Sequence, residues 1–563
     1  MRCVHILREP PGRGCAQPDL AGGQENWGRS GRFLRAAALA LGVASSLLSA
    51  SAWAQQTRAG DERVLKVVPF ADLQSLDPIV TTVGIVQRHA TMVYDFLFGR
   101  DDNQTPQPQM VRSWTTSPDG LTWTFVLRDG LSFHDGQPVT AEDVVASLRR
   151  WAARDSNGRQ IIARTVSLQA RDARTVVWTL NKPYGLMLQA LSKPSGVVPA
   201  IMPRRLAETD PNKPITEAIG SGPFEFVREE WVPGSRVVYR RNARYLPREE
   251  PASGTAGGKL VKVDRVEWIN IRDPQSAVLA LQNGEVDFVE APGTDFLPVL
   301  RQAGMKVVRT DRLGSQGMIR MNHLHPPFDK PEARRALLYA IDQQTVLQTM
   351  FSDPELYRVC GAFFVCGAPL ESRAGVEADF GRNLQKARQL IQASGYSGEP
   401  IVVLHPTDVQ TMNLSTLAVA EALKALGMKV ELQAMDFASM STRRANRAAP
   451  GKGGWHIGLT FWPGLLVSDP IGNVPAQASC DKAWPGWPCD NEYQQLIDQF
   501  AELKSLDDRK AQAERIQRLA YERVVPYVPF GQWFAPVAHS PRLSGVIGMP
   551  GTLVLWNIEK SRR

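Results

Sequence analysis

Apolar residues recur along this chain at two periods. The stretches TWTFVL from Thr122, RTVVWTLN from Arg174, VEWINI from Val266, VDFVE from Val286 and HIGLTFW from His456 are β-branched, aromatic and partly alternating, which predicts strands. Asp129-Gly130 after the first of them predicts a hairpin turn. Helical spacing fills the gaps. Thr140 with Asp143 forms a capping box ahead of AEDVVASLRRW. Asp329, Pro331 and Glu332 open a helix whose Ala336, Leu337, Ala340 and Ile341 share a face. Asn383 caps LQKARQLIQAS and Gly395 ends it, while the helix from Thr411 ends at Gly427. The stretch from Glu492 to Val525 reads as two helices broken near Ser505–Asp507 and stopped by Pro526. Interleaved strands and helices of this kind mean an α/β or α+β chain with more than one core. The proline- and glycine-rich stretch from Pro247 to Lys259 reads as a surface insertion.

The N-terminus follows a different rule. Arg29, Arg32 and Arg35 precede an uncharged run from Ala36 to Leu48, and Ala52-Trp53-Ala54 supplies small residues before Gln55. That is the layout of a cleavable export signal, and the run is too short for a bilayer needing about 20 residues. Removing residues 1–54 leaves 509 residues (563 less 54) and takes six arginines, three acids and two cysteines. Net charge falls from +8 to +5, so charge gives no case for nucleic acid. The densest basic cluster, Arg443-Arg444 with Arg447, reads as a solvated helix face or loop.

Cys360, Cys366, Cys480 and Cys489 remain in the exported chain. An even count in an oxidising compartment fits two disulfides, with local pairs the simplest of three connectivities. Neither spacing matches a zinc pattern. His323-Leu324-His325 beside Pro326-Pro327 lacks a nearby acid or thiol ligand and reads as structural or pocket-lining. No phosphate-binding loop, metalloprotease motif or nucleophile elbow is present. No catalytic residue, cofactor or metal is expected, and an exported hydrolase is the weaker alternative to a binding protein.

Six blocks carry a family resemblance. They are FHDGQPVTAEDVVASLRR from Phe133, IGSGPFEFVREEWVPGSRVVYRRNARYL from Ile219, PQSAVLALQNGEVDFVE from Pro274, MNHLHPPFDKPEARRALLYAIDQQTV from Met321, ARQLIQASGY from Ala387 and VPYVPFGQW from Val525. In this order they resemble the family 5 extracellular solute-binding proteins of ABC importers. The resemblance implies a bilobed α/β periplasmic binding protein of class II, large type, with an extra inserted subdomain in lobe one. Lobe I would comprise residues 62–97, 217–309 and 530–563, the inserted subdomain 98–216, and lobe II 310–529. It also implies a monomer that takes a small-molecule solute, a peptide or a relative of one, and delivers it to an inner-membrane permease.

Family members that bind peptides run an aromatic-led segment along the ligand, here from Trp455. Alternation puts Phe461 and Trp462 on opposite faces, and Trp462 is the favoured contact. Peptide binders usually carry an Asp three residues after this Trp, pairing with the ligand's ammonium. Here Leu465 stands there, with Asp469 a substitute only if the loop is longer. An amine-free, opine-like or sugar-like solute gains accordingly. Asn322, His323, Trp533 and Thr82 are further cleft candidates, and Trp484 and Trp487 lie in the loop between Cys480 and Cys489.

Overall fold

The computed structural model describes residues 63–561, so the expected leader lies outside the described residues. Two mixed sheets organise this part of the chain. The first has seven strands in the order Lys306–Val308, Val537–His539, Phe288–Val289, Val64–Val68, Arg265–Ile269, Arg236–Arg241 and Phe224–Phe226. Val64–Val68 runs parallel to both Arg265–Ile269 and Phe288–Val289. A central parallel strand is covered on both faces: Leu65, Val67, Val266 and Phe288 are buried on one, Val68 and Val289 on the other. The second sheet has six strands in the order Tyr357–Arg358, Val528–Trp533, Ser315–Met321, Ile457–Pro463, Ile401–Pro406 and Val430–Met435.

A separate four-stranded antiparallel sheet pairs Val111–Thr116, Thr122–Leu127, Thr175–Leu180 and Thr165–Asp172 in that order. The hairpin expected at Asp129-Gly130 is not there. Gly130 turns with φ 76°, but the chain leaves the sheet, and the next partner of Thr122–Leu127 is Thr175–Leu180. Asp129 instead pairs with Arg112 and Arg174. The local turn signal is real; the pairing it suggests loses to a longer-range one.

Helix starts follow local chemistry closely. Ala141–Ala152 begins with the complete Thr140/Asp143 capping box. Asn383, Asp490 and Ser505 each accept a backbone N–H at the start of their helices. Gly395 and Gly427 take positive φ just past two helix ends. Asp329 does not cap, because Lys330 is the residue before Pro331–Ala340 and no side chain bonds there.

The stretch from Pro247 to Lys259 lies at the surface only in its first half, where residues 247–253 are exposed or half-buried. Residues 254–259 are buried, and Lys259 makes a 2.7 Å ion pair with Asp95, each side chain 1% exposed. The chain packs so closely here that a Cβ on Gly99 would lie 2.3 Å from the Thr255 carbonyl oxygen. Composition marks the segment as irregular, but irregular backbone can be buried when its polar groups find partners.

Two neighbouring segments join the sheets. Residues 309–314 connect Lys306–Val308 to Ser315–Met321, and residues 534–536 return from Val528–Trp533 to Val537–His539. Val528–Trp533 pairs wholly within the six-stranded sheet, so the return crossing falls after Trp533 rather than at residue 530. Asp311 staples this crossing: Oδ1 accepts from Leu313 and Gly314 at 2.9 and 2.8 Å, and Oδ2 accepts from Gly551 at 3.2 Å. Gly314 has φ 55°, and a Cβ there would stand 2.1 Å from the Trp533 carbonyl oxygen, so glycine is required.

Candidate functional site: a cleft between the sheets

A cavity of about 220 Å³ is lined from one side by Thr82, Arg100 and residues between Arg154 and Val197, and from the other by residues between Trp462 and Val474. The first wall is built on a helix cap. Asp155 precedes Ser156–Ile162 and its Oδ1 accepts from Asn157 and Gly158 at 2.9 and 3.1 Å. Its other oxygen pairs with Lys193 at 2.5 Å. Tyr184 donates to Asn157 Oδ1 at 2.7 Å, and burial holds the phenol well above its ordinary pKa. Arg100 ends the strand Phe98–Arg100; its guanidinium donates to Ser192 Oγ at 3.2 Å and the Gln189 carbonyl at 2.8 Å. Burial lowers Arg100 to about 10, opposed by the nearby Asp469 carboxylate.

Two side chains upstream of this wall tie it to the Thr82 segment. Arg150 meets Asp77 through two bonds of 3.1 and 2.8 Å, with side chains 1% and 0% exposed. Asp77 also accepts from the Ile79 and Ile215 amides at 3.0 and 2.9 Å. Arg150 donates further to the Thr209 and Lys213 carbonyls at 3.1 and 3.0 Å.

The second wall starts where Ile457–Pro463 ends. The turn Gly464–Val467 is pinned to the crossing by a 2.6 Å bond from the Gly464 amide to the Gly314 carbonyl. Leu465 is buried, and a Cβ on Gly551 would lie 3.0 Å from its Cδ2 and 2.8 Å from Ser195 Oγ. The position therefore holds an apolar wedge between the walls. Asp469 lines the cavity, with Oδ1 accepting from Ile471 and Gly472 at 2.9 and 2.8 Å.

Trp462 lines the cavity and packs edge-on against Trp484, ring centroids 6.2 Å apart. Trp484 is in turn flanked by Arg444 at 4.1 Å and Arg320 at 5.1 Å. Arg320 is fully buried, and its guanidinium donates to the carbonyls of Pro475, Trp484, Pro485 and Pro526. Burial, then repulsion from Arg444, lowers it to about 9. The Cys480–Cys489 disulfide closes this loop, and Cys360–Cys366 closes the other. The basic cluster is solvated only in part, at the exposed Arg447. Arg443 donates to the Gly453 and Gly454 carbonyls at 3.1 and 3.0 Å, Arg444 stacks on Trp484, and Arg447 pairs with Asp481 at 2.7 Å and sits over Trp487.

Of the residues singled out from sequence, Trp462, Asp469 and Thr82 meet in the cavity, and Trp484 backs Trp462. Phe461 lies elsewhere, 37% exposed, its ring 5.4 Å from Trp533, which stacks on Phe530. Trp487 is core, packed with Trp455, Val402 and Met440. Asn322 is buried, bonding the Trp455 carbonyl and accepting from the Leu324 amide at 3.0 and 3.1 Å. His323 has a buried Nε2, and burial followed by Arg334 and Arg320 pushes its pKa well below the ordinary value. His325 instead meets the Arg447 carbonyl at 3.0 Å, and no group of three or more His, Cys, Asp or Glu among the described residues could hold a metal. Arg100, Arg154, Arg159 and Lys193 line the cavity without any motif to announce them. The Asp-Ser-Asn-Gly cap at 155–158 is readable as a helix start, but nothing in it says which wall it faces.

Beyond the cavity the same two parts of the chain touch directly. The Gly185 amide donates to the Ala501 carbonyl at 2.7 Å, and Lys504 donates to the Pro118 and Asp119 carbonyls at 3.2 and 3.1 Å. No described helix is long and apolar enough to cross a membrane.

Comparison with known proteins agrees with this architecture. The family described as bacterial extracellular solute-binding proteins, family 5 Middle, matches residues 105–483. A probable peptide ABC transporter periplasmic-binding protein of Sinorhizobium fredii is 39% identical over 537 residues, covering 94% of this chain and 99% of that protein. The glutathione-binding protein of Escherichia coli K12 is 25% identical over 529 residues, covering 92% and 97%. Among solved structures, an A. tumefaciens periplasmic binding protein in complex with agropinic acid superposes with TM-score 0.71 at 21% identity, covering 89% of this chain and 99% of that one. A Helicobacter pylori periplasmic binding protein in complex with the peptide STSA superposes with TM-score 0.70 at 19% identity, covering 90% and 100%. With strands, helices and cleft in this arrangement, the chain belongs to the family 5 bacterial extracellular solute-binding proteins.

Proposed function

We propose that this protein is the periplasmic substrate-binding component of an ABC import system, capturing a peptide or peptide-like solute between two lobes and delivering it to a membrane permease. The carrying observation is a cavity whose walls come from the two sides of a paired crossing, at 309–314 and 534–536. A solute touching both walls stabilises their approach, and the permease reads the approached form. Micromolar affinity corresponds to about −8 kcal/mol, which must also cover that movement. In this reading lobe I is built from 62–97, 217–309 and the chain after Trp533, lobe II from about 310 to Trp533, and an insertion at 98–216 supplies the wall around Asp155. The protein works as an exported monomer cut near Ala54 and performs no covalent step.

A second reading, an amine-free or opine-like solute, is favoured by Leu465, which leaves no carboxylate at the expected ammonium anchor. Two measurements test the proposal. Native mass spectrometry of the purified chain should show a bound small molecule, and deletion of the gene should abolish uptake of that molecule in labelled form. Unchanged uptake after deletion would refute the transport role.

A further inference from the structure

We propose that the cleft holds its solute by a carboxylate on Arg100, and that Asp469 is not an ammonium anchor. This rests on the receptor reading and names the solute's class, a small acid.

The charges lining the cavity are unequal. Arg100, Arg154, Arg159 and Lys193 face two carboxylates, Asp155 and Asp469. Asp155 is spent, since one oxygen caps Asn157 and Gly158 while the other pairs with Lys193. Asp469 has Oδ1 committed to its own turn, makes no ion pair within 4 Å among the described residues, and acts on Arg100 and Arg509 only at longer range. An ammonium entering here would meet a surplus of like charge, with one oxygen of Asp469 already bound within its own turn.

Arg100 is in the opposite position. Its Nε and one terminal nitrogen are bonded only to neutral oxygens, those of Ser192 and Gln189, and no described carboxylate lies within ion-pairing distance. The remaining terminal nitrogen has no protein partner among the described residues. Two neutral acceptors orient the planar fork, and a planar fork suits a carboxylate better than any neutral group. Arg154 and Arg159 are exposed and bond only Asn212 and the Arg154 carbonyl, so they add positive potential without a competing acid. The rest of the lining mixes polar residues such as Thr82 and Gln189 with apolar Trp462, Leu186, Val197 and Leu465, and the apolar part suits the acid's carbon body. The volume of about 220 Å³ lies below the roughly 300–1,000 Å³ of drug-sized sites, which suits a small solute.

The test is calorimetric titration of the mature chain with agropinic acid, glutathione and dialanine, each also with its carboxylates methyl-esterified and, where it has an amine, N-acetylated. At least one free acid should bind. Esterification should weaken it at least 30-fold, whereas acetylation should change it less than threefold. Arg100→Gln should weaken the acid at least 30-fold, and Asp469→Asn, which keeps the Oδ1 acceptor, should leave it unchanged or tighter. If Arg100→Gln does not fold, Arg100→Lys and the exposed double variant Arg154→Gln/Arg159→Gln replace it, each with weakened binding expected. Binding that survives esterification but needs the free amine, or that is lost in Asp469→Asn and kept in Arg100→Gln, overturns the acid assignment alone. Silence of every probe, free and blocked, overturns the receptor reading with it.

Discussion

Replacing Asp77 by Asn isolates the ion pair that ties two parts of the cleft wall together. Asp77 stands just before the Thr82 segment, and Arg150 stands just before Arg154 and Asp155. Their side chains are 0% and 1% exposed and share two bonds, so solvent screening is minimal. Asn keeps volume and one oxygen for the Ile79 or Ile215 amide, but it leaves the Arg150 cation buried with only the Thr209 and Lys213 carbonyls. Breaking such a pair by removing one partner costs about 3–5 kcal/mol, much of it the uncompensated charge left behind. Removing both charges, in Asp77→Asn/Arg150→Met, takes that penalty away. The double variant should therefore be at least ~2 kcal/mol more stable than the sum of the single losses implies. Urea unfolding followed by tryptophan fluorescence and circular dichroism gives all four stabilities, with coincident curves and equal slopes as the condition for comparing them. A loss below ~1 kcal/mol for Asp77→Asn, or strict additivity, would refute the reasoning that burial makes this pair costly to break.

Gly314→Ala should destabilise the chain by at least ~2 kcal/mol, because left-handed backbone costs an L-residue about 1–2 kcal/mol and the new Cβ meets the Trp533 carbonyl. Gly304→Ala, at φ 75° with nothing within 4 Å, is the control and should cost about 1 kcal/mol in the same assay. Cys480→Ser/Cys489→Ser should lose about 2.5 kcal/mol from loop closure and shift the tryptophan emission as Trp484 and Trp487 loosen; an unchanged spectrum and midpoint would count against the loop's role. Burial lowers His89 from 6.5 to about 3, with Nδ1 3.0 Å from the Tyr239 hydroxyl. The unfolded chain therefore binds this proton more readily, so the contribution is fully present above pH 6.5 and is lost as pH falls towards 3. His89→Gln should flatten the stability profile by up to ~1.4 kcal/mol per pH unit in that window, and an unchanged slope would show the histidine is not responsible.

Short-range signals are reliable wherever the physics is short-range. The capping box at Thr140, the Asn383 and Ser505 caps and the glycines at 395 and 427 are legible in sequence, since each depends on atoms a few residues apart. The Asp129-Gly130 hairpin and the buried second half of the Pro247–Lys259 loop are misleading signals, because their outcome depends on Thr175–Leu180 and on Asp95, far away in the chain. The two disulfides follow the local pairing that is simplest from sequence.

The cleft divides in the same way. Sequence by itself determined the family, the mixed α/β class and the divergence of Phe461 and Trp462, because ordered motifs and strand alternation survive in any one-dimensional reading. Only the tertiary structure buries Asn322, the His323 Nε2 and Trp487 outside the cavity lining, and sets Arg100, Arg154 and Lys193 across from Trp462 and Asp469. The reason is that a cleft's charge is a sum over groups far apart in the chain, such as Arg100 and Asp469, and such a sum exists only once the two walls have been folded towards each other.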